Sequence, residues 1–283
     1  MLRPALTFVL SLALALQAVS PVAAQEEPEP DASRMRWNQD EWGRFGTHEL
    51  ALGSFVAIGG IGMQVFLIPE VGRASGGVLV DDVIRDALQL RRRPDRSTAA
   101  RISDILVNVN LVWPYLVDTL VIAWAVDGSR DVAGQMFWIN ALAYAMTTAT
   151  LSATKNLVAR ERPYHDECLN DLEYDGGCTN ADRYRSFFSG HSAFAFTGAS
   201  VMCIHHANLP LYDSRALDLA GCLVPLAIAG TVATLRIAAD KHYFSDVLIG
   251  ALVGVFSGLV IPAIFHYGWD WDRSEGTSPD PVP

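Results

Sequence analysis

The chain has 283 residues, of which 51% are hydrophobic and only 18% charged, against roughly 25% charged in an average soluble domain. Its formal net charge is -10, which argues against a nucleic-acid partner because no basic stripe is available to follow phosphates. The balance points to a membrane. Basic residues are nearly all arginine, and Lys155 and Lys241 are the two lysines.

In chain order, residues 1–24 form a short apolar run after Arg3 and end in Val22-Ala23-Ala24. That is the pattern of a secretory signal peptide, with an uncleaved N-terminal anchor as the alternative. Residues 25–47 begin acidic and proline-bearing and are expected to be a mobile surface segment. A membrane-embedded domain is expected over 48–267, followed by a disordered tail at 268–283.

Within that domain six segments are apolar enough to be candidate spans: 48–68, 103–125, 132–154, 191–209, 217–235 and 246–267. A span needs about 20 such residues. The segment 246–267 carries small residues suited to close helix packing. The segment 103–125 is the least apolar, and its Asp104, Asn108, Asn110, Pro114 and Asp118 should face the bundle interior or water. Between the first two segments, Val80, Val83, Ile84, Ala87 and Leu88 recur at helical spacing and predict an amphipathic helix ending in an arginine cluster. The fold class is therefore all-α, a polytopic bundle of about six helices. Cys203 and Cys222 fall in apolar segments and read as small buried hydrophobes. Cys168 and Cys178 lie in a polar loop and could close a disulfide in an oxidising compartment.

Three polar islands interrupt the apolar segments: Lys155 to Pro163, Ser186 to His191, and Leu235 to Asp246. Each falls at the end of a predicted helix, where side chains and free backbone N–H groups can converge. Lys155 is followed after six residues by Arg162-Pro163. Ser189-Gly190-His191 come next, and Arg236, His242 and Asp246 complete the set. This order and spacing resemble the tripartite signature of the type 2 phosphatidic acid phosphatase and vanadium haloperoxidase superfamily. Phe188 stands where that family has proline, and Leu235 where it has serine. Any one island alone is a weak signal, since a lone arginine at a helix end is commonly an interfacial anchor and His242–Asp246 could be an ordinary i,i+4 pair. Their conjunction is specific.

The residue types suit phosphoryl transfer. Lys155, Arg162 and Arg236 are cations that could cradle the equatorial oxygens, where charge develops. Ser189 and Gly190 at a helix start can donate to the same oxygens. The resemblance implies that His242 is the nucleophile, oriented by Asp246, and that His191 is the general acid and base. It also implies no cofactor or metal, because the three cations supply the positive charge.

Among superfamily readings, the apolar segments favour a membrane phosphatase acting on a lipid phosphate monoester or pyrophosphate. The alternatives are a secreted soluble acid phosphatase, a vanadate-dependent haloperoxidase and an inactive polytopic scaffold. The expected partners are a lipid phosphate and the membrane, with protein partners unassigned. The expected location is the inner cell membrane, multi-pass, with the site on the periplasmic or extracellular face. That face conflicts with a cleaved signal peptide followed by three crossings before Lys155.

Overall fold

The structure, a computed structural model, describes residues 34–38 and 41–268. The expected signal peptide or anchor at 1–24, and the tail from 269 onward, lie outside the described residues. Among the described residues eight helices follow one another: α1 (Thr47–Phe66), α2 (Asp81–Leu88), α3 (Arg93–Val126), α4 (Arg130–Val158), α5 (His165–Asn170), α6 (Gly190–Asn208), α7 (Arg215–Ala238) and α8 (Phe244–Tyr267). Among the described residues no β-strand forms, and Ala74 and Arg160 make one isolated bridge.

Six of these are the long helices read from the apolar segments. Among the described residues, α1, α3, α7 and α8 are the helices long and apolar enough to cross a membrane. The other two expected spans, α4 and α6, bury polar side chains against their neighbours: Thr147, Ser152 and Lys155 on one, Ser192, Thr197, Ser200, His205 and His206 on the other. A helix enclosed by protein need not be apolar all round, because its polar groups find partners there. Thr147 and Thr197, for instance, hydrogen-bond each other at 2.8 Å.

Helix α6 packs on α8 along a glycine ridge. A Cβ on Gly250, Gly254 or Gly258 would lie 2.6, 2.4 or 2.5 Å from the carbonyl oxygens of Ser189, Ala193 and Thr197. Glycine at every fourth position lets the two backbones approach closely, and this holds the N-terminus of α6 beside that of α8.

Helix α3 starts ten residues before the expected span and continues past Pro114 in wider π-helical turns. Proline has no N–H to give the carbonyl four residues back. That carbonyl, on Asn110, accepts instead from the Tyr144 hydroxyl at 3.0 Å. The Asn110 amide donates to Ala195 O at 3.0 Å and Pro225 O at 2.9 Å, tying α3 to α6 and α7. Asn110, Pro114 and Asp118 are buried as expected, whereas Asp104 and Asn108 are exposed.

Three other expectations change. The amphipathic helix exists as α2, but Val83 is 71% exposed while Asp81 is buried, so the polar residue faces inward. The arginine cluster does not end it: Arg92 and Arg93 start α3. Cys203 and Cys222 are not free hydrophobes but a disulfide joining α6 to α7. Of the segment expected to be mobile, Met35, Trp37 and Trp42 are buried in one cluster with Tyr267. Indole and thioether groups of this size lose too much by staying in water.

Helix direction fixes the site's end of the bundle. The Asn156 amide donates to Met63 O at 3.0 Å and the Ser152 hydroxyl to Gln64 at 3.0 Å, so α1 ends where α4 ends. Glu49, near the start of α1, lies 3.5 Å from His266 at the opposite end.

Candidate active site

All three islands converge at one end of the bundle, where α4 and α7 finish and α6 and α8 begin. Asp246 sits in the first turn of α8 and accepts the Tyr243 backbone N–H at 2.9 Å, capping the helix that carries it. Its oxygens also accept from Arg160 Nη1 at 2.7 Å and Ser186 Oγ at 2.5 Å. His242 lies just before α8, with Nδ1 3.6 Å from Asp246 Oδ2 and Nε2 3.1 Å from Arg162 Nη1. Both residues are buried. Burial, then Arg162, Arg236 and Lys155, push the His242 imidazole well below its ordinary pKa, so it is neutral near pH 7.

The cations approach from separate elements. Arg162 follows α4 and is locked by its donation to Asp182 O and Lys241 O, both at 2.8 Å, and by an ion pair with the Asp182 carboxylate at 3.0 Å. Burial raises the Asp182 carboxyl, but Arg162 and Lys155 outweigh it and hold it down to about 2. Arg236, in the last turn of α7, donates from Nη1 to Ser103 Oγ and Asp104 Oδ1, each at 3.2 Å, while its Nε is buried without a partner. Lys155 is buried in the last turn of α4, and its ammonium makes no hydrogen bond or ion pair among the described residues. Such a cluster repels itself and favours an anion in its midst.

Ser189 caps the N-terminus of α6, accepting the Ser192 N–H at 3.4 Å. Its own N–H donates to Asp246 O at 3.0 Å, which ties the second island to the third. A Cβ on Gly190 would lie 3.0 Å from the end of the Leu151 side chain, which would have to shift by a few tenths of an ångström to admit it. His191, on the first turn, keeps a partly exposed ring whose Nε2 lies 2.7 Å from Asp104 Oδ1. Both histidines therefore have a carboxylate near one ring nitrogen.

Lys155, Arg162, Ser189, Gly190, His191, Arg236, His242 and Asp246 all lie at this end of the bundle, together with several residues outside the signature. Asp104, one of the polar residues expected in a span, joins His191 to Arg236. Arg160, Asp182 and Ser186 contact Asp246 or Arg162 directly. Arg160 and Ser186 were legible only as members of islands, and Asp182 carried no pattern at all. Lys241, the second of the two lysines, is ion-paired with Asp175 at 2.6 Å. Tyr164 is buried against the Cys168–Cys178 disulfide, which braces the loop beside the site. Phe188 is buried with Leu151 and Ala193 and does not reach lipid. Among the described residues, no group of three or more His, Cys, Asp and Glu side chains could hold a metal ion.

The sequence profile of the PAP2 superfamily matches residues 136–270, which include all three islands. The chain is 31% identical over 97 residues to a probable diacylglycerol pyrophosphate phosphatase 1 of Schizosaccharomyces pombe, covering 31% of this chain and 35% of that protein. It is 24% identical over 127 residues to a probable lipid phosphate phosphatase 4 of Arabidopsis thaliana (39% and 41% of the two chains). It is 27% identical over 131 residues to lipid phosphate phosphatase 2 of the same plant (39% and 43%). The matched region thus spans about two-fifths of the length of these relatives. No solved structure matches. With this signature at one end of an all-helical bundle that bears, among the described residues, four helices of membrane-crossing length and apolarity, residues 136–270 are similar to the PAP2 superfamily.

Proposed function

We propose that the protein is a phosphatase that hydrolyses a lipid phosphate monoester or pyrophosphate through a phosphohistidine on His242. The observation that carries this is the convergence of a neutral imidazole, a carboxylate beside its Nδ1 and three cations from separate elements. His242 Nε2 attacks phosphorus while His191 gives a proton to the departing oxygen, which leaves as the lipid alcohol or lipid phosphate. His191, now a base, takes a proton from water as that water displaces His242 and releases inorganic phosphate. Lys155, Arg162 and Arg236, with the α6 N-terminus at Ser189 and Gly190, neutralise the equatorial oxygens. The 3.6 Å gap between His242 and Asp246 is one that substrate binding closes, as catalytic hydrogen bonds commonly tighten in the bound state.

Two further observations favour a lipid. A groove of about 620 Å³ runs along α3 from Asp104 through Val109, Val112, Trp113 and Leu116, starting beside His191. The relatives named above are phosphatases of lipid phosphates or of diacylglycerol pyrophosphate by their names. Phosphate release from detergent-dispersed phosphatidic acid and diacylglycerol pyrophosphate, compared with His242→Ala, tests the reading. Unchanged release in the variant refutes it.

We further propose that the site opens on the outer face of the inner membrane. The loop beside it carries the Cys168–Cys178 disulfide, and disulfides persist in oxidising compartments. Because α1 runs toward the site, this places residue 46 on the inner side. A cysteine introduced at residue 170 should react with an impermeant maleimide in intact cells; protection would reverse the orientation.

A further inference from the structure

Asp246 is completely buried, and its partner His242 is held neutral, so the charge of the carboxylate must be met elsewhere. Arg160 meets it. One nitrogen, Nη1, donates to Asp246 Oδ1 at 2.7 Å and to Ser245 Oγ at 2.8 Å. Another, Nη2, donates to Asp81 Oδ2 at 2.9 Å and Gly76 O at 2.7 Å, and the guanidinium stacks 4.2 Å over the Tyr243 ring. Asp81 is equally enclosed, at 1% exposure, in the first turn of α2. It accepts from Ser245 N and Ser245 Oγ, both at 2.7 Å, and from Val78 N at 2.9 Å. A buried line therefore runs from α2 through Arg160 to the carboxylate beside the nucleophilic ring. Ser245 closes a second path along it.

We infer that Arg160 and Asp81 are positioning residues of the His242–Asp246 dyad, with Asp81 fixing the guanidinium that keeps Asp246 ionised and aimed at His242. The inference rests on the phosphatase reading above. Only a planar guanidinium spans two carboxylates and a carbonyl at once; an ammonium at this position would have to choose. The geometry also explains why α2 turns Asp81 inward and leaves Val83 in the open, against the ordinary sense of an amphipathic helix. The loop between α1 and α3 is then part of the catalytic apparatus although none of its residues enters the three islands.

The test compares pH profiles of kcat/KM for the full-length protein in detergent, using phosphatidic acid as substrate and inorganic phosphate as readout. His242 faces Arg162 from the segment after α4, Arg236 from α7, Lys155 from α4 and His191 from α6. Asp246 faces Arg160, Ser186 and the Tyr243 backbone, and Asp81 faces Arg160 and Ser245. Arg160→Gln removes the cation paired with Asp246 at 2.7 Å, so the dyad as a unit takes up its proton at higher pH. The acid limb should rise by about one pH unit, and kcat should fall at least about tenfold. Asp81→Asn leaves the Arg160 charge opposed by Asp246 alone, and its acid limb should move to lower pH. Displacements of opposite sign support the inference. Limbs that stay in place while activity drops by one factor at every pH indicate a purely structural staple and overturn it. If Arg160→Gln does not fold, Asp81→Asn decides alone, an unmoved or raised limb overturning the inference. Loss of phosphate release in wild type, or its retention in His242→Ala, defeats the phosphatase reading and this inference together. Failure of the limbs alone defeats only the inference.

Discussion

Replacing Asp246 by asparagine removes one charge and almost no volume, so it isolates what the carboxylate does. Its two oxygens accept from Arg160 at 2.7 Å, Ser186 at 2.5 Å and Tyr243 N at 2.9 Å. An amide has only one accepting oxygen, and its NH2 must face a donor whichever way it turns. Turned one way it opposes Arg160; turned the other, it opposes Tyr243 N. Breaking a buried ion pair from one side costs about 3–5 kcal/mol. Asp81 still holds Arg160 at 2.9 Å, so the expected loss of stability is nearer the lower limit, about 3 kcal/mol. The catalytic loss is separate. Exchanging the carboxylate that orients a catalytic histidine for an amide lowers turnover on the order of 10⁴-fold in serine-type triads. Here the carboxylate starts 3.6 Å from Nδ1, outside bonding distance, so less ground-state orientation is at stake. We expect a fall in kcat of about 10²- to 10³-fold, roughly 3–4 kcal/mol of transition-state stabilisation. Steady-state phosphate release gives the turnover, acid-quenched trapping of labelled phosphoenzyme the first step, and thermal unfolding in detergent the stability. Turnover within about threefold of wild type in a folded Asp246→Asn protein would refute the assignment of Asp246 to His242.

Other expectations follow from the same geometry. Gly254→Val places a Cβ 2.4 Å from Ala193 O and should destabilise the bundle by about 1–3 kcal/mol, read as a lower Tm. Asp104→Asn removes the carboxylate 2.7 Å from His191, so phosphate release from lipid alcohol esters should fall about tenfold or more while p-nitrophenyl phosphate, whose leaving group needs no proton, is spared. Serine at both Cys168 and Cys178, ten residues apart, should cost about 3 kcal/mol by opening that loop, seen as faster proteolysis between them. Asp182 is held at about 2 by Arg162 and Lys155 against its burial. A depressed carboxyl stabilises fully above its unfolded pKa near 4 and ceases to as pH falls through about 2, so Asp182→Asn should flatten the acid loss of stability in that window.

Much of the molecule is legible in the residue order because the governing signals are local. A membrane-length helix needs an apolar run of fixed length, so the long helices were visible to within a few residues except at the start of α3. The signature residues were visible because phosphate chemistry demands particular side chains at helix ends, and their spacing along the chain is short. Tertiary structure decided the rest. Whether a helix faces lipid or protein depends on its neighbours, which is why α4 and α6 can bury threonine, serine and histidine. The pairing of Cys203 with Cys222, the inward turn of Asp81, and the joining of Asp104 to His191 and Arg236 each link segments distant in sequence. No local periodicity encodes such pairs; they exist because a buried charge must find its counter-charge wherever packing delivers one.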